Sequence, residues 1–177
     1  MAARYSTKNI APLGNRSIFV DANVILYVFW TTGESWQSTV YSKVLKKLLK
    51  NGNELVLDFI VISEVINRAL RIAYHDYCQE NAHIPFKEYR NTNDGKSATT
   101  GIYLILKEDI LPKFNIVEKS FSKTEILSFL TEEALDFSDK GILLTCQAND
   151  YILLTNDGDF KAAEVEILTS NNAILKN

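Results

Sequence analysis

The stretch that decides the fold is Ile18-Phe19-Val20-Asp21-Ala22-Asn23-Val24-Ile25-Leu26. An apolar run leads into Asp21, and an apolar helical pattern continues from Ala22 onwards. A carboxylate between two buried elements costs free energy unless it caps the helix, pairs with a cation or holds a metal. Asp21 alone does not distinguish these roles, so the choice depends on acids that occur later in the chain.

The composition is that of an ordinary globular domain. The chain has 177 residues, of which 46% are hydrophobic and 23% charged, and its formal net charge is −3. Bulk charge therefore does not indicate a polyanion partner, although a metal site that uses several acids would leave a nearly neutral remaining surface. Cys78 and Cys146 match no CxxC or zinc-ligand spacing, which favours a reducing compartment. Neither a membrane span nor a secretory signal is visible, so we expect a cytoplasmic protein.

Short apolar runs alternate with helical patterns along the chain. Strands are predicted at residues 17–20, 54–57, 115–118, 151–154 and 164–168. Helices are predicted at residues 22–33, 36–50, 58–73, 98–111, 122–135 and 138–149. Ser35 and Asp58 are predicted N-caps, and Ser122 with Glu125 predicts a capping box. Strands separated by helices form βαβ units, so we predict a three-layer α/β/α fold with a mostly parallel sheet of four to five strands.

The predicted domain organisation is simple. Residues 17–170 are expected to form one domain, after an irregular N-terminal extension (1–16) and before a C-terminal tail (171–177). Residues 74–115 are polar and contain Pro85 and the turn-like Asn93-Asp94-Gly95. We expect this region to be a variable insert made of a helical end and an exposed arm, and its aromatic residues suit packing and base stacking equally well.

Four acids occur where a parallel sheet collects ligands, beyond the carboxyl ends of its strands. Asp21 follows the first predicted strand and Asp157 follows the fourth. Asp139 lies in the first turn of the helix before the fourth strand, and Glu64 interrupts an apolar helical stretch. These acids are far apart in sequence, but the predicted topology lets them meet at one edge of the sheet.

Each of these acids also has a plainer interpretation. Asp21 suits an N-cap, Asp139 suits a first-turn acid favoured by the helix dipole, and Glu64 can pair with Arg68 at i+4. Asp157-Gly158-Asp159 is typical of a surface turn. The metal hypothesis is favoured only because all four acids could share one site.

Three blocks together resemble the PIN-domain nuclease family, which includes the toxins of bacterial VapBC toxin–antitoxin pairs. The first block is Phe19-Val20-Asp21-Ala22-Asn23-Val24, and the second is Ile62-Ser63-Glu64-Val65. The third runs from Ser138-Asp139 through Ala148 and continues as Leu153-Leu154-Thr155-Asn156-Asp157-Gly158-Asp159-Phe160. The resemblance covers residues 17–73 and 120–170, and its strength comes from the ordered set of blocks.

The resemblance implies a Mg²⁺- or Mn²⁺-dependent phosphodiesterase, most often an endoribonuclease that uses a metal-polarised water. The metal ligands and catalytic acids that it implies are Asp21, Glu64, Asp139 and Asp157, with Asp159 as a second-line ligand. Carboxylate oxygens suit these hard cations. Clustered carboxylates repel each other, so at least one of them should have a raised pKa when no metal is bound.

Supporting residues and partners follow from the same resemblance. Asn23 and Thr155 are expected to orient a water or a ligand. Arg68, Arg71 and Lys140 are the candidate RNA contacts, whereas the lysines of residues 43–50 are predicted to form a solvated helix face. The implied partners are an RNA substrate and, for a toxin, a cognate antitoxin protein; a homodimer is a further alternative.

Other function classes stay open or are disfavoured. A PIN-like nuclease that acts on DNA is one alternative, and a non-catalytic PIN-like protein- or RNA-binding module is another. The complete set of acids argues against the binding module. A phosphate-binding NTPase is disfavoured because the chain has no GxxxxGK[ST] motif. A receiver-type phosphoacceptor would leave Glu64 unexplained.

Overall fold

The computed structural model describes residues 2–30, 35–132 and 135–176. Its described residues form a six-stranded sheet in which every neighbouring pair is parallel. The strands are β1 (Arg4–Ser6), β2 (Ser17–Val20), β3 (Glu54–Leu57), β4 (Asn115–Ile116), β5 (Ile152–Leu154) and β6 (Ile167–Thr169). Their order is β1-β6-β5-β2-β3-β4, so β2 and β5 are adjacent in the middle of the sheet.

Helices connect and flank these strands. They are α1 (Ala22–Phe29), α2 (Trp36–Lys50), α3 (Phe59–Glu80), α4 (Phe86–Tyr89), α5 (Asn93–Ile105), α6 (Lys123–Phe129), α7 (Phe137–Asn149) and α8 (Asn172–Leu175). Two 3₁₀ turns (Ala11–Leu13 and Gly158–Ala162) and a π-helical stretch (Leu106–Ile110) complete the described elements. The predicted α/β/α fold is confirmed, with six strands in place of four to five.

The core is centred on β2 and β5. The side chains of residues 18–20 and 152–154 are fully buried. Continuous apolar runs of this kind are typical of parallel strands that are covered on both faces. The backbone N–H of Asp21 donates to the carbonyl of Leu154 at 3.0 Å, which fixes Asp21 at the carboxyl edge of the two central strands.

The three predicted caps are confirmed. The side chains of Ser35 and Asp58 each accept a hydrogen bond from the backbone N–H three residues later, at 3.1 and 2.8 Å. Ser122 and Glu125 form the reciprocal capping box. These local signals explain why α2, α3 and α6 begin where the sequence places them.

The N-terminal extension is not irregular throughout, so that prediction is wrong for residues 4–6. These residues form β1, which pairs with β6 at the edge of the sheet. The Arg4 guanidinium donates to the carbonyls of Val165 and Ala163 at 2.7 and 2.6 Å. A three-residue strand carries no readable alternation, and its partner lies at the other end of the chain. The expected C-terminal tail likewise contains a short helix, α8.

Residues 74–115 form packed helices and not the expected exposed arm. Helix α3 continues to Glu80, and α5 packs along it. The rings of Tyr74, Tyr77, Phe86 and Tyr89 form a cluster in which three centroid separations are 5.1–5.3 Å. Tyr89 is only 2% exposed. These aromatic side chains therefore serve packing, and the base-stacking alternative is not supported for them.

The predicted turn at Asn93-Asp94-Gly95 is also wrong, because α5 begins there. Thr92 caps α5, and its Oγ1 accepts from the Gly95 backbone N–H at 3.0 Å. A Cβ built at Gly95 would lie 2.1 Å from the carbonyl oxygen of Tyr89. The glycine thus allows a close approach of two helices, a use that its sequence neighbours do not signal.

Several element ends differ from the prediction. The predicted end of the first helix at Thr31-Thr32-Gly33 lies outside the described residues. Helix α6 ends at Phe129, ahead of the predicted Leu135. No helix in the described part of the chain is long and apolar enough to cross a bilayer.

Candidate metal centre

Asp21 lies at the N-cap position of α1, but its side chain makes no capping hydrogen bond. The side chain is buried, with 5% of the residue exposed. Its Oδ2 accepts a hydrogen bond from Thr155 Oγ1 at 2.5 Å and another from Asn23 Nδ2 at 2.6 Å. Two neutral donors therefore hold this carboxylate in one orientation, and the helix-cap interpretation does not describe it.

The same hydrogen bonds tie the ends of β2 and β5 together. Asn23 Nδ2 also lies 3.3 Å from Thr155 Oγ1, and Asn23 Oδ1 accepts from the Asn156 backbone N–H at 3.3 Å. Thr155 Oγ1 accepts from the Asp157 backbone N–H at 2.9 Å. Asn23 and Thr155 thus position both Asp21 and the loop that carries Asp157.

The structure brings the four candidate acids to one edge of the sheet. Burial raises the pKa of Asp21 to about 6; the hydrogen bond from Thr155 opposes this, and the negative charges of Glu64 and Asp157 add to it. These charges act on Asp21 because the carboxylates are close in space. The Glu64 carboxylate is therefore near enough to Asp21 for its charge to act there.

Asp139 lies in the first turn of α7, close to Asp136, which was not among the predicted site residues. Burial, together with the charges of Asp136, Asp21 and Asp157, raises the pKa of Asp139 to about 7. Asp136 caps α7, and its Oδ1 accepts from the Asp139 backbone N–H at 2.8 Å. The predicted raised pKa in the metal-free site is confirmed at both Asp21 and Asp139.

Glu64 forms the predicted ion pair with Arg68. It lies on α3, and its Oε1 is 3.0 Å from Nη1 of Arg68, one turn further on. The Glu64 side chain is 32% exposed and that of Arg68 is 52% exposed. The i+4 ion pair is therefore present at the same time as the proximity of Glu64 to Asp21.

Asp157 and Asp159 lie in the 3₁₀ turn after β5. Asp157 Oδ1 accepts from the Asp159 backbone N–H at 3.0 Å, as in a surface turn. Both residues are exposed, and Asp157 is the one whose charge reaches Asp21 and Asp139. The turn interpretation is correct for the backbone. The charge of Asp157 acts on Asp21 and Asp139 at the carboxyl edge of the sheet, which we call the acidic edge.

The donor set fits a hard divalent cation by its chemistry. Within residues 2–30, 35–132 and 135–176, no three His, Cys, Asp or Glu side chains are grouped tightly enough to hold a metal ion. Carboxylate oxygens are nevertheless the ligands that Mg²⁺ and Mn²⁺ prefer. Burial is the largest cause of the raised pKa of Asp21 and of Asp139, and neighbouring negative charges add to it, so a counter-charge would stabilise both carboxylates. A cation at this edge would supply that counter-charge.

The prediction that Lys140 contacts RNA is wrong. Lys140 is 7% exposed. Its Nζ donates to the carbonyls of Phe129 and Thr131 at 3.1 and 2.7 Å. The ammonium group therefore anchors the segment that follows α6, and sequence proximity to Asp139 gave no sign of this.

Arg68 and Arg71 line a groove beside Glu64. The groove has a volume of about 660 Å³. Tyr27 of α1 and Trp30, which follows α1, contribute to its wall. The guanidinium carbon of Arg71 lies 4.6 Å from the centroid of the Phe86 ring, a cation–π distance. Both arginines remain available as contacts for an anionic ligand.

Tyr41 of α2 is a buried residue that the sequence reading missed. Its hydroxyl donates to Asn156 Oδ1 at 2.9 Å and accepts from Ser170 Oγ at 2.8 Å. It thereby supports the loop between Thr155 and Asp157 from behind. A tyrosine on the apolar face of a helix carries no signal of such a contact.

A family profile described as PIN domain matches residues 18–166. The chain belongs to the PIN-domain family, which is a family of nucleases. The crystal structure of FitAcB from Neisseria gonorrhoeae is similar at 18% identity, covers 85% of this chain and 96% of that chain, and gives a TM-score of 0.53. The crystal structure of PAE2754 from Pyrobaculum aerophilum gives 15% identity, 96% coverage of both chains and a TM-score of 0.47. No curated protein sequence matches. At 18% identity, the similarity to FitAcB shows the fold alone.

Proposed function

We propose that this protein is a metal-dependent endoribonuclease that hydrolyses RNA phosphodiester bonds with water as the nucleophile. The proposal is supported by the carboxylates at the carboxyl edge of the central strands, where the charges of Glu64 and Asp157 act on Asp21 and those of Asp21 and Asp157 act on Asp139. Mg²⁺ or Mn²⁺ would be held by these four carboxylates, directly or through water, with Asp159 as a further ligand.

A divalent ion, when bound, would polarise a water and offset charge on the phosphate and on the leaving oxygen. The protein contributes orientation. Asp21 is fixed by Thr155 and Asn23, so one carboxylate is preorganised before any ligand arrives. Asp139 and Asp157 sit near it, and Glu64 can leave its exposed ion pair at a small free-energy cost.

The choice of RNA rests on the sequence resemblance, and DNA is the alternative substrate. The non-catalytic binding module is the less favoured alternative, because a protein that only binds has no need for acids whose negative charges act on Asp21 and Asp139 at one sheet edge. Arg68 and Arg71 supply positive charge beside Glu64, which suits a phosphate backbone.

The toxin role is a further part of the proposal. It implies a cognate antitoxin protein as a partner and a cytoplasmic site of action. A small DNA-binding protein encoded next to this chain, and a stable complex of the two on co-expression, would support it. A chain that purifies alone and cleaves RNA without harming its host would contradict the toxin role and leave the nuclease role intact.

The test of the nuclease proposal is cleavage of labelled single-stranded RNA and DNA with Mg²⁺ or Mn²⁺. We expect the wild type to cut RNA, and Asp21→Asn and Asp157→Asn to lose at least about 100-fold in rate, since each removes a charged ligand. The matched control is Asp150→Asn. Asp150 follows α7 at the opposite edge of the sheet, its side chain is 93% exposed, and its φ of 55° is one that asparagine tolerates.

Each outcome decides between the hypotheses. Cleavage of DNA but not RNA would change the substrate and keep the site. No cleavage of either nucleic acid with any divalent metal, or equal rates for wild type and the two site variants, would reject the nuclease proposal. Loss of activity in Asp150→Asn would show that the effect is one of net charge.

A further inference from the structure

A second cavity lies beside β1, β6 and α2, away from the groove of Arg68 and Arg71. Its volume is about 400 Å³. Three lysines and a tryptophan contribute to its wall: Lys8, Lys43, Lys47 and Trp36. Trp36 is 56% exposed, and none of the described residues that line the cavity is acidic. We call it the lysine–tryptophan pocket; its charge is opposite to that of the acidic edge.

The lysine–tryptophan pocket opens at the same edge of the sheet as the acids. The strands are parallel, so the carboxyl ends of β1 and β6 lie next to those of β5 and β2. Ser170, which follows β6, lines the pocket. Ser170 Oγ is 2.8 Å from the Tyr41 hydroxyl, which is 2.9 Å from Asn156 Oδ1. Asn156 directly precedes Asp157, so two hydrogen bonds link the pocket to the acidic edge.

The lysines of this pocket lack internal counter-charges. None of the salt bridges found between described residues uses Lys8, Lys43 or Lys47. Lys43 and Lys47 lie one turn apart on α2, whereas Lys8 reaches the pocket from the segment after β1. Cations gathered from two elements without carboxylates attract phosphate groups. The predicted solvated helix face is confirmed, because all four lysines of residues 43–50 are exposed, and Lys43 and Lys47 also line this pocket.

We propose that the lysine–tryptophan pocket binds single-stranded RNA next to the bond that is cut. Phosphates contact the lysines and one unpaired base stacks on Trp36. The proposal rests on the proposed nuclease function, because it assumes that RNA is cut at the acidic edge and extends from there into the pocket. Lysine–phosphate contacts hold a backbone without reading its sequence, and stacking accepts any base. A base can reach an exposed indole only when it is unpaired, which selects single strands.

The first test measures binding, so that it does not depend on turnover. Fluorescence anisotropy follows a labelled single-stranded RNA of about twelve nucleotides in the Asp157→Asn background with Mg²⁺, across a series of salt concentrations. We expect the double variant Lys43→Glu/Lys47→Glu to weaken the Kd at least about ten-fold. The slope of log K against log salt should fall by about 1.4, since each lost phosphate contact removes about 0.7 for a single strand.

The matched control makes the same charge change on the same helix. Lys46 and Lys50 are exposed on α2 but do not line the pocket. Lys46→Glu/Lys50→Glu should change the Kd less than about three-fold, because the remaining effect is long-range and screened by salt. An equal loss in both double variants would overturn the proposal, since it would reflect net charge and not a site.

The second test isolates the stacking contact. The chain has two tryptophans, Trp30 and Trp36, so Trp30→Phe leaves Trp36 as the only indole. RNA should quench the fluorescence of the Trp30→Phe protein, and Trp36→Ala should weaken the Kd about five-fold or more. Trp36→Phe should retain most of the affinity, because a phenyl ring can still stack.

Different results would contradict the pocket proposal and the nuclease proposal. If wild type cuts no nucleic acid but the pocket variants weaken RNA binding as expected, the nuclease function fails and the pocket stands. If wild type cuts RNA while Lys43→Glu/Lys47→Glu and Trp36→Ala keep the wild-type Kd and salt slope, the pocket proposal is overturned. An acidic segment of a protein partner would then be the better ligand for these lysines.

Discussion

The candidate metal centre has two unlike halves. Asp21 is 5% exposed and receives hydrogen bonds from Thr155 and Asn23 at 2.5 and 2.6 Å. Glu64 has a half-buried side chain, and its partner is the exposed guanidinium of Arg68 at 3.0 Å. Neutral hydrogen-bond donors hold the Asp21 half. A partly exposed ion pair holds the Glu64 half.

The difference indicates separate roles in assembling the site. Neutral donors orient the Asp21 carboxylate without cancelling its charge, so the site keeps its attraction for a cation. The Arg68 guanidinium does reduce the charge of Glu64, but a surface ion pair contributes only about 0–1 kcal/mol and can open. We therefore infer that the Asp21 half is preorganised and that the Glu64 half adjusts when ligands arrive.

Among the variants that compare the two halves, Thr155→Val is expected to have the largest effect, because it removes the shortest hydrogen bond to Asp21. The buried carboxylate would lose a donor, and the Asp157 backbone N–H would lose its acceptor. We expect the free energy of unfolding to fall by about 1–3 kcal/mol and the cleavage rate to fall at least about ten-fold. Urea denaturation and RNA cleavage measure the two effects.

Thr155→Ser is the control for this prediction. It keeps the hydroxyl and loses only a methyl group, so most of the activity should return while part of the packing is lost. If Thr155→Val retained wild-type rate and stability, this contact would not preorganise the Asp21 half. The two halves of the site would then not differ in preorganisation.

A smaller effect is expected from Asp139→Asn, and it depends on pH. Burial and neighbouring acids raise the pKa of Asp139 from its ordinary value of 3.8 to about 7. Between these pH values the folded protein binds more protons than the unfolded chain, so the contribution of Asp139 to stability decreases as pH rises. Replacing the Asp139 carboxyl group should therefore increase the stability of the folded protein most above pH 7.

Thermal unfolding in EDTA measures this pH dependence. The Tm of Asp139→Asn minus that of wild type should be near zero at about pH 4 and should rise by roughly 2–4 °C towards pH 8. Mn²⁺ should stabilise wild type more than the variant, because a ligand is missing. Asp150→Asn should show no such trend, and a pH-independent difference for Asp139→Asn would contradict the charge cluster.

The parts of the molecule that were predictable from sequence rest on local signals. The buried strands β2 and β5 are continuous apolar runs, and the polar residues that follow them, Asp21 and Thr155, end at the sheet edge by topology alone. The caps Ser35 and Asp58 act on backbone groups three residues away. In each case the sequence signal that predicts the structure lies within a few positions of the residue concerned.

The parts that were not predictable depend on distant partners. The strand β1 exists because β6, at the other end of the chain, offers an edge. Lys140 looked like a substrate contact beside Asp139, but its ammonium group is held by carbonyls of the segment before α7. Tyr41 supports the Asn156 loop from a different helix. No nearby sequence pattern encodes such contacts.

The smallest effect is expected from Arg68→Gln, which removes the charged partner of Glu64. The free energy of unfolding should change by less than about 0.5 kcal/mol, since the pair is an exposed i+4 ion pair. Mn²⁺ affinity, measured by calorimetry, should stay equal or rise up to about three-fold, because Glu64 loses a competing cation. RNA affinity should fall as a phosphate contact is lost. A fall in Mn²⁺ affinity would show that Arg68 orients Glu64 as firmly as Thr155 orients Asp21, and the two halves would then be alike.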